Sequence, residues 1–250
     1  MSNPWSDSVP WFAAAAGIAV LFYLLAAWAI RGPEDPWLAT LARPVLTVFL
    51  HLAHKLWVFP GGDCLPKTGA AILVANHRSG VDPVLLGLLT RRRVRFLMAR
   101  EYFETPGLRW AFRSLGCIPV NRNGNDLGAT KAALKALRAG EVIGIFPQGG
   151  IREAGGSLEG KAGVALLCLH SGAPVVPCYI DGSPNVDSVF LSLITPSRSK
   201  VYCGVPLRFD ARTGKPTREH LERVTDEILD AIARLKPIAL RSSQEVETPD

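Results

Sequence analysis

The chain begins with a long apolar segment. Residues 9–30 carry no charge, and a helix of 22 residues would extend ~33 Å, enough to cross a hydrocarbon core of ~30 Å. Trp11 and Trp28 would then lie near the two interfaces of a bilayer. Because no Lys or Arg precedes the segment, the pattern favours a retained transmembrane helix over a cleaved signal peptide. The first basic residues follow the helix, which predicts that the rest of the chain faces the cytoplasm, at the cell membrane.

A second apolar stretch, residues 37–59, carries a stripe of polar side chains. On a helix, Thr47, His51, His54 and Lys55 share one side, which makes a second membrane span unfavourable. The pattern instead predicts an interfacial helix on the cytoplasmic leaflet with its polar stripe solvated. The spacing of the two histidines is also compatible with a metal site, although a solvated stripe is the simpler interpretation.

From residue 61 onward, short β-rich runs alternate with helical patterns. The predicted strands are 70–75, 94–98, 118–121, 142–146, 175–180 and 201–203. The predicted helices are 83–89, 108–115, 127–138, 162–170 and 218–235. This alternation predicts an α/β fold with a mostly parallel sheet flanked by helices. In such sheets, ligands bind beyond the carboxyl ends of the strands.

These patterns divide the 250 residues into three parts. Residues 1–60 are predicted to be membrane-anchoring helices, and residues 61–237 to form the α/β domain. Lys236-Pro237 is predicted to end the last helix, because proline lacks the N–H that a helix interior requires. The acidic residues 238–250 are predicted to be a disordered tail.

Composition excludes a disordered chain and indicates an anionic partner. Hydrophobic residues make up 48% and charged residues 20% of the chain, which rules out disorder for most of it. Residues 61–241 hold 25 basic and 16 acidic side chains, so they suit a phosphate-bearing substrate, an anionic lipid or nucleic acid. Nucleic acid is disfavoured, because the basic run Arg91-Arg92-Arg93 has no interleaved aromatic residues.

The five cysteines are scattered along the chain. Their number is odd, and no two of them form a C-x-x-C pair. Neither a disulfide framework nor a cysteine zinc site is therefore predicted, and a reducing, cytosolic setting is favoured.

The strongest candidate for chemistry directly follows the strand 70–75. At a strand-to-helix turn, Asp82 could fold back onto the imidazole of His77 and leave the second ring nitrogen as a general base. This is the His–Asp half of a triad, with the attacking hydroxyl supplied by a substrate. Alternatively, Asp82-Pro83 is a helix cap followed by proline at the first helical position, and His77 is an ordinary loop residue.

Three further strand ends carry weaker signals. Arg122 could offer a bidentate fork to a phosphate, or could be an exposed strand-end arginine. Gly149-Gly150 could bring backbone N–H groups close to an anion or an acyl oxygen, or could form a simple turn. The apolar strand that contains Val176-Pro177 indicates an edge strand and nothing more.

Taken together, the four strand ends resemble the glycerolipid (lysophospholipid) acyltransferases, the family typified by 1-acylglycerol-3-phosphate acyltransferase. Asn76, His77 and Asp82 match its N-H-x-x-x-x-D motif, and Arg122 matches the arginine of its second motif. Phe146, Pro147 and Gly149 match its third motif, F-P-E-G, and Val176-Pro177 its fourth. By this resemblance His77 is the general base, and Asp82 orients it. The substrate-binding positions that the resemblance implies are Asn76, Ser79, Arg122, Gln148, Gly149, Gly150 and Arg152.

The resemblance implies a membrane-bound O-acyltransferase. The acyl group would pass from acyl-CoA or acyl-acyl carrier protein to a lysophospholipid hydroxyl, with 1-acylglycerol-3-phosphate as the favoured acceptor. No metal or other cofactor would be required, since the substrate hydroxyl is itself the nucleophile. One alternative is the same transfer to another lysolipid, such as a lyso-aminolipid. A second alternative is a non-catalytic, lipid-binding member of the fold. The presence of both His77 and Asp82 argues against this alternative.

The third motif departs from the pattern of the family. Gln148 stands where glutamate is usual, Gly150 replaces a hydroxyl residue, and Arg152 arrives one position late. None of these changes affects the His–Asp pair. They therefore bear on the identity of the acceptor more than on the transfer reaction.

Overall fold

The computed structural model describes residues 47–59, 64–90, 92–106, 109–121, 126–147, 158–186, 189–211, 214 and 216–247. The transmembrane helix predicted for residues 9–30 lies outside these ranges. Five of the predicted substrate-binding residues also lie outside them, namely Arg122, Gln148, Gly149, Gly150 and Arg152. Within the described ranges, no helix has the length and apolar character needed to cross a membrane.

Within the same ranges, strands and helices alternate as the sequence predicts. The strands are β1 (Trp57–Phe59), β2 (Ala71–Ala75), β3 (Val94–Ala99), β4 (Ile118–Val120), β5 (Val142–Ile145), β6 (Val175–Asp181) and β7 (Lys200–Cys203). The helices are α1 (47–54), α2 (Asp82–Gly87), α3 (Arg100–Phe103), α4 (Arg109–Ser114), α5 (Leu127–Arg138), α6 (Leu158–Ser171), α7 (Val189–Ile194) and α8 (Arg218–Glu247). The six predicted strands are confirmed to within one residue at each end, whereas β1, α3 and α7 were not predicted.

The seven strands form one sheet, in the order β1-β7-β6-β2-β5-β3-β4. Every neighbouring pair is parallel except β6 and β7, which confirms the prediction of a mostly parallel sheet. Strands β2 to β6 therefore end at one edge of the sheet, and β2 lies between β5 and β6. The loop that carries His77 leaves the sheet from this central strand.

Helices cover both faces of the sheet, because alternate strand residues point to opposite sides. Ile72 and Val74 of β2 pack in a core with α5, α6 and α8. Leu73 and Ala75 pack in the second core, with α1 and α2. The second core is the one beneath the His77 loop, because alternation places residue 77 on the same face as residues 73 and 75.

The helix predicted to reach residue 59 ends at residue 54, so this prediction is wrong for residues 55–59. Lys55 has a φ of 42°, a left-handed conformation that ends α1, and β1 then pairs with β7. Phe49 and Leu50 are buried in the second core, whereas Val48 and Leu52 remain exposed. One side of α1 therefore packs on the α/β domain.

His54 is buried, so the solvated stripe predicted for it is also wrong. Its Nε2 donates to the carbonyl of Leu193, and its Nδ1 accepts from the hydroxyl of Ser197, both at 2.8 Å. Ser197 lies 143 residues further along the chain, a distance over which local periodicity predicts nothing. Both nitrogens of His54 are occupied, which also removes the possible metal pair with the exposed His51.

The last helix continues through Pro237 to Glu247, so the predicted end and the predicted disorder of residues 238–247 are wrong. A proline removes one N–H donor, but Ala239, Leu240 and Arg241 behind it are all strong helix formers. Local propensity therefore favours continuation over termination at this position.

Cys64 and Cys203 form a disulfide, which contradicts the prediction that the cysteines do not pair. The two residues are 139 positions apart, and their Cα atoms are 6.2 Å apart because β7 returns beside the segment before β2. Cys117, Cys168 and Cys178 are free. The inference of a reducing compartment from scattered cysteines therefore loses its support.

We expect the protein to lose stability as the pH falls below 6.5. Burial lowers the pKa of His54 from its ordinary value of 6.5, and the hydrogen bond to Leu193 opposes this shift only in part. The unfolded chain therefore binds a proton at pH values where folded His54 does not. The free energy of unfolding should fall by up to ~1.4 kcal/mol per pH unit until His54 protonates in the folded state.

The measurement is urea unfolding between about pH 5 and pH 8, the range in which histidine titrates. His54→Asn should lose this part of the pH dependence, because an amide does not titrate in this range. His51→Asn is the matched control, since His51 lies in the same helix and is exposed. A His54→Asn variant with the full dependence of the wild type would show that another group is responsible.

Candidate active site

The turn that follows β2 is anchored by the side chain of Asn76. Its Nδ2 donates to the carbonyl of Ile180 at 2.9 Å, and its Oδ1 accepts from the N–H of Ile180 at 2.7 Å. These bonds imitate a strand ladder, so they hold β6 beside the point where β2 ends. Asn76 is buried in this structural role, and its contact with substrate stays a prediction.

One carboxylate oxygen of Asp82 accepts hydrogen bonds from three groups of the turn. Its Oδ2 accepts from Nδ1 of His77 at 3.0 Å, from the N–H of Arg78 at 2.7 Å and from the N–H of Ser79 at 2.8 Å. The predicted contact between His77 and Asp82 is therefore present. Because a carboxylate only accepts hydrogen bonds, Nδ1 carries the hydrogen, and a neutral ring then has its lone pair on Nε2.

Exposure differs sharply between the two members of this pair. The side chain of Asp82 is 0% exposed and that of His77 is 15% exposed. Asp82 is the first residue of α2, and the residue before it, Val81, makes no side-chain cap. Asp82 is thus not the predicted helix cap, because its carboxylate points back into the turn and not along the helix.

Ser79 lies inside the turn. It is completely buried, and its carbonyl accepts from the N–H of Asp82 at 3.1 Å. The hydroxyl of Ser79 and the second oxygen of Asp82, Oδ1, have no hydrogen-bond partner in the described part of the chain. A role for Ser79 in substrate binding stays a prediction.

Phe146, which follows β5, stacks on the imidazole of His77. The ring centroids are 4.1 Å apart and the planes differ by 19°. The third motif draws attention to Phe146, but sequence reasoning gave it no role. Alternation alone places residue 146 on the face of residue 144, and the observed pairing of residues 73 and 144 brings that face to the side of residue 77.

Further polar side chains lie at the same edge of the sheet. Nη1 of Arg78 lies 3.7 Å from Oδ1 of Asp181, at the end of β6. Arg100, just after β3, donates through Nε to Oδ1 of Asn121 at 2.6 Å. Bonds from the N–H groups of Ala129 and Asn121 lower the pKa of Asp126, and the charge of Arg100 adds to this shift. Arg100 was not predicted, although its place directly after a strand is the available signal.

The arginines near the start of β3 lie at the opposite edge. Arg92 donates to the carbonyls of Pro66, Gly69 and Gly140, all of which precede strands β2 and β5. Arg95 donates to Glu141 at 2.9 Å. These side chains support the fold and lie far from His77. Within the described ranges, no cluster of His, Cys, Asp and Glu side chains could hold a metal ion.

Comparison with known proteins identifies the class of this protein. A family model described as "Acyltransferase" matches residues 58–181, a range that includes β2 to β6 and the whole His77 turn. The chain belongs to the acyltransferase family.

Relatives from several bacteria support this assignment. The 1-acyl-sn-glycerol-3-phosphate acyltransferase of Bacillus subtilis is 23% identical over 192 residues, which cover 76% of this chain and 93% of the relative. The enzyme of that name from Borreliella burgdorferi is 25% identical over 199 residues, 78% of each chain. The crystal structure of the 1-acyl-sn-glycerophosphate acyltransferase of Thermotoga maritima superposes with a TM-score of 0.63 at 20% identity. The match covers 93% of this chain and 94% of that one, and it shows that the fold is shared.

Proposed function

We propose that this enzyme transfers a fatty acyl group from a thioester to the hydroxyl of a lysophospholipid. The favoured acceptor is 1-acylglycerol-3-phosphate, which would become phosphatidic acid. The observation that carries the proposal is the 3.0 Å hydrogen bond between His77 and the buried Asp82 at the carboxyl edge of the sheet. Two of the bacterial relatives bear the name of this activity, which supports the choice of acceptor.

In the proposed reaction, Nε2 of His77 takes the proton of the acceptor hydroxyl. The oxygen attacks the thioester carbonyl and forms the new ester bond, and the carbon–sulfur bond breaks as the tetrahedral intermediate collapses. The proton then passes from His77 to the leaving thiolate, so the base is regenerated. Asp82 stabilises the intermediate imidazolium, because its carboxylate faces the opposite nitrogen. The donor is acyl-CoA or acyl-acyl carrier protein, and no other cofactor takes part.

The residues that the family resemblance implies for acceptor recognition follow β4 and β5 along the chain. Arg122 is proposed to bind the phosphate, and Gln148, Gly149, Gly150 and Arg152 to line the acceptor site. A neutral amide at Gln148 donates and accepts hydrogen bonds where glutamate would only accept them. Because of this difference, the second candidate acceptor is a lysolipid with another headgroup, such as a lyso-aminolipid.

The enzyme is further proposed to work on the cytoplasmic side of the cell membrane, anchored by a helix at residues 9–30. Exposed apolar side chains support this location. Val48 and Leu52 of α1 are 57% and 76% exposed. Leu191 and Ile194 of α7 are also exposed, and α7 contacts α1 through the bond between His54 and Leu193. Single exposed apolar residues are common, but a group on two adjoining helices suits a lipid surface.

The topology can be tested with single added cysteines and an impermeant thiol reagent on intact cells. A cysteine near position 5 should be labelled from outside, and one near position 125 only after the cells are permeabilised. A variant without the five native cysteines provides the background. The reverse pattern, or a mature chain that begins near residue 32, would contradict the proposed anchor.

The activity is tested with labelled acyl-CoA and a panel of lysolipids, read out by product mass. We expect lysophosphatidic acid to be the best acceptor, and His77→Ala to lower kcat by ~10²–10⁴ while folding is retained. His51→Ala is the matched control, because that histidine is exposed and lies outside the turn. Full activity of His77→Ala would remove the assigned base, and a preference for another headgroup would establish the second acceptor.

A further inference from the structure

Three aromatic rings, one of which is the proposed base His77, form a continuous stack. His77 stacks on Phe146 at 4.1 Å, and Phe146 stacks on Phe96 with centroids 5.8 Å apart and planes that differ by 11°. The three residues come from different parts of the chain: the turn after β2, the end of β5 and the middle of β3. We call them the aromatic stack.

The register of the sheet explains how these rings meet. Phe96 of β3 and Leu73 of β2 both pair with Gly144 of β5. Paired residues of parallel strands share a face, and residues two apart along a strand share it as well. His77, Phe146 and Phe96 therefore rise on the same side of three adjacent strands, above the second core.

Gly144 provides the space that the stack requires. A Cβ atom at this position would lie 2.4 Å from both Cδ1 and Cε1 of Phe96, and 2.9 Å from Cγ1 of Val94. Those distances are far below van der Waals contact, so any larger residue must displace the Phe96 ring. Phe96 is only 7% exposed and Val94 also 7%, which leaves the ring little room to move elsewhere.

The stack supplies a restraint that Asp82 alone does not. Asp82 holds the imidazole at one atom, Nδ1, and a single hydrogen bond permits the ring to tilt about that atom. Contact with the flat face of Phe146 opposes this tilt and so fixes the direction in which Nε2 points. An aromatic face against the ring also favours the imidazolium that forms when the hydroxyl proton is taken.

We infer that Phe146 and Phe96 are positioning residues for His77, and that Gly144 is required because it leaves room for Phe96. This inference rests on the proposed role of His77 as the base. Neither phenylalanine needs to touch a substrate. Their loss should therefore lower kcat while the KM values for acyl-CoA and lysophosphatidic acid change little, because misplacement of a catalytic group by ~1 Å can cost ~10²-fold in rate.

The experiment compares five variants with the wild type: Gly144→Ala, Phe96→Leu, Phe146→Leu, Phe146→Tyr and Gly144→Ala with Phe96→Leu. Initial rates are measured with acyl-CoA and lysophosphatidic acid and are divided by the concentration of folded enzyme. Gly163→Ala is the matched control, because Gly163 lies in α6 with nothing within 4 Å of an added Cβ atom. Loss of folded protein alone lowers yield or the unfolding midpoint, but it does not lower kcat per folded molecule.

We expect Gly144→Ala and Phe146→Leu to lower kcat about tenfold or more with KM values within about twofold, and Gly163→Ala to behave as wild type. Phe146→Tyr should recover most of the loss seen in Phe146→Leu, because the ring is kept. The kcat of the double variant should fall by less than the two single effects combined. The reason is that leucine at position 96 lacks the ring atoms with which the added methyl group at position 144 would clash.

Unchanged kcat in Phe146→Leu and Phe96→Leu would overturn the inference. So would losses confined to KM, because these would indicate contact with a substrate. If those results came together with an inactive His77→Ala variant, the proposed function would still stand. An active His77→Ala variant would instead contradict the proposed function itself, so the two failures are distinguishable.

Discussion

One oxygen atom, Oδ2 of Asp82, determines the shape of the site. A completely buried carboxylate needs compensating hydrogen bonds, and here three N–H donors converge on Oδ2, while Oδ1 has no partner in the described part of the chain. Hydrogen bonds to charged groups contribute about 1.5–3 kcal/mol each, so this cluster holds the turn more firmly than the sheet alone would. His77 is held in the turn by the same contacts that support its chemistry.

The position of this turn in the sheet is as important as its internal bonds. Strand β2 is central, and Asn76 ties its end to β6 while Phe146 approaches from β5 on the other side. The imidazole is therefore contacted in its plane by Asp82 and on its face by Phe146, which belong to different elements. The orientation of the ring thus depends both on the turn after β2 and on the register of β5 beside it.

Sequence reasoning succeeded where the signal was local. The apolar runs of β2 and β5 each begin shortly after a glycine and end at Asn76 and before Pro147, so the sequence predicts their ends to within one residue. The contact of His77 with Asp82 is one of two local possibilities for residues five positions apart, and the resemblance to the acyltransferase motif selects it. Failures came from long-range contacts: His54 is buried by Ser197, and Cys64 pairs with Cys203 across 139 residues. The three-residue strand β1 is too short to show a period of two, so the pattern predicts helix there. Phe146 was overlooked because its value lies in a ring-to-ring contact that depends on strand register.

The most direct test of this account is the tautomer of His77, measured by NMR of protein labelled with ¹⁵N in its five histidines. The His77 signals are assigned by their loss in His77→Ala, and spectra are recorded at a pH where the ring is neutral. The account predicts a hydrogen on Nδ1 and an unprotonated Nε2, with this preference lost in Asp82→Asn. A ring that carries its hydrogen on Nε2, or a tautomer that does not change in Asp82→Asn, would contradict the claim that Asp82 sets the state of the base.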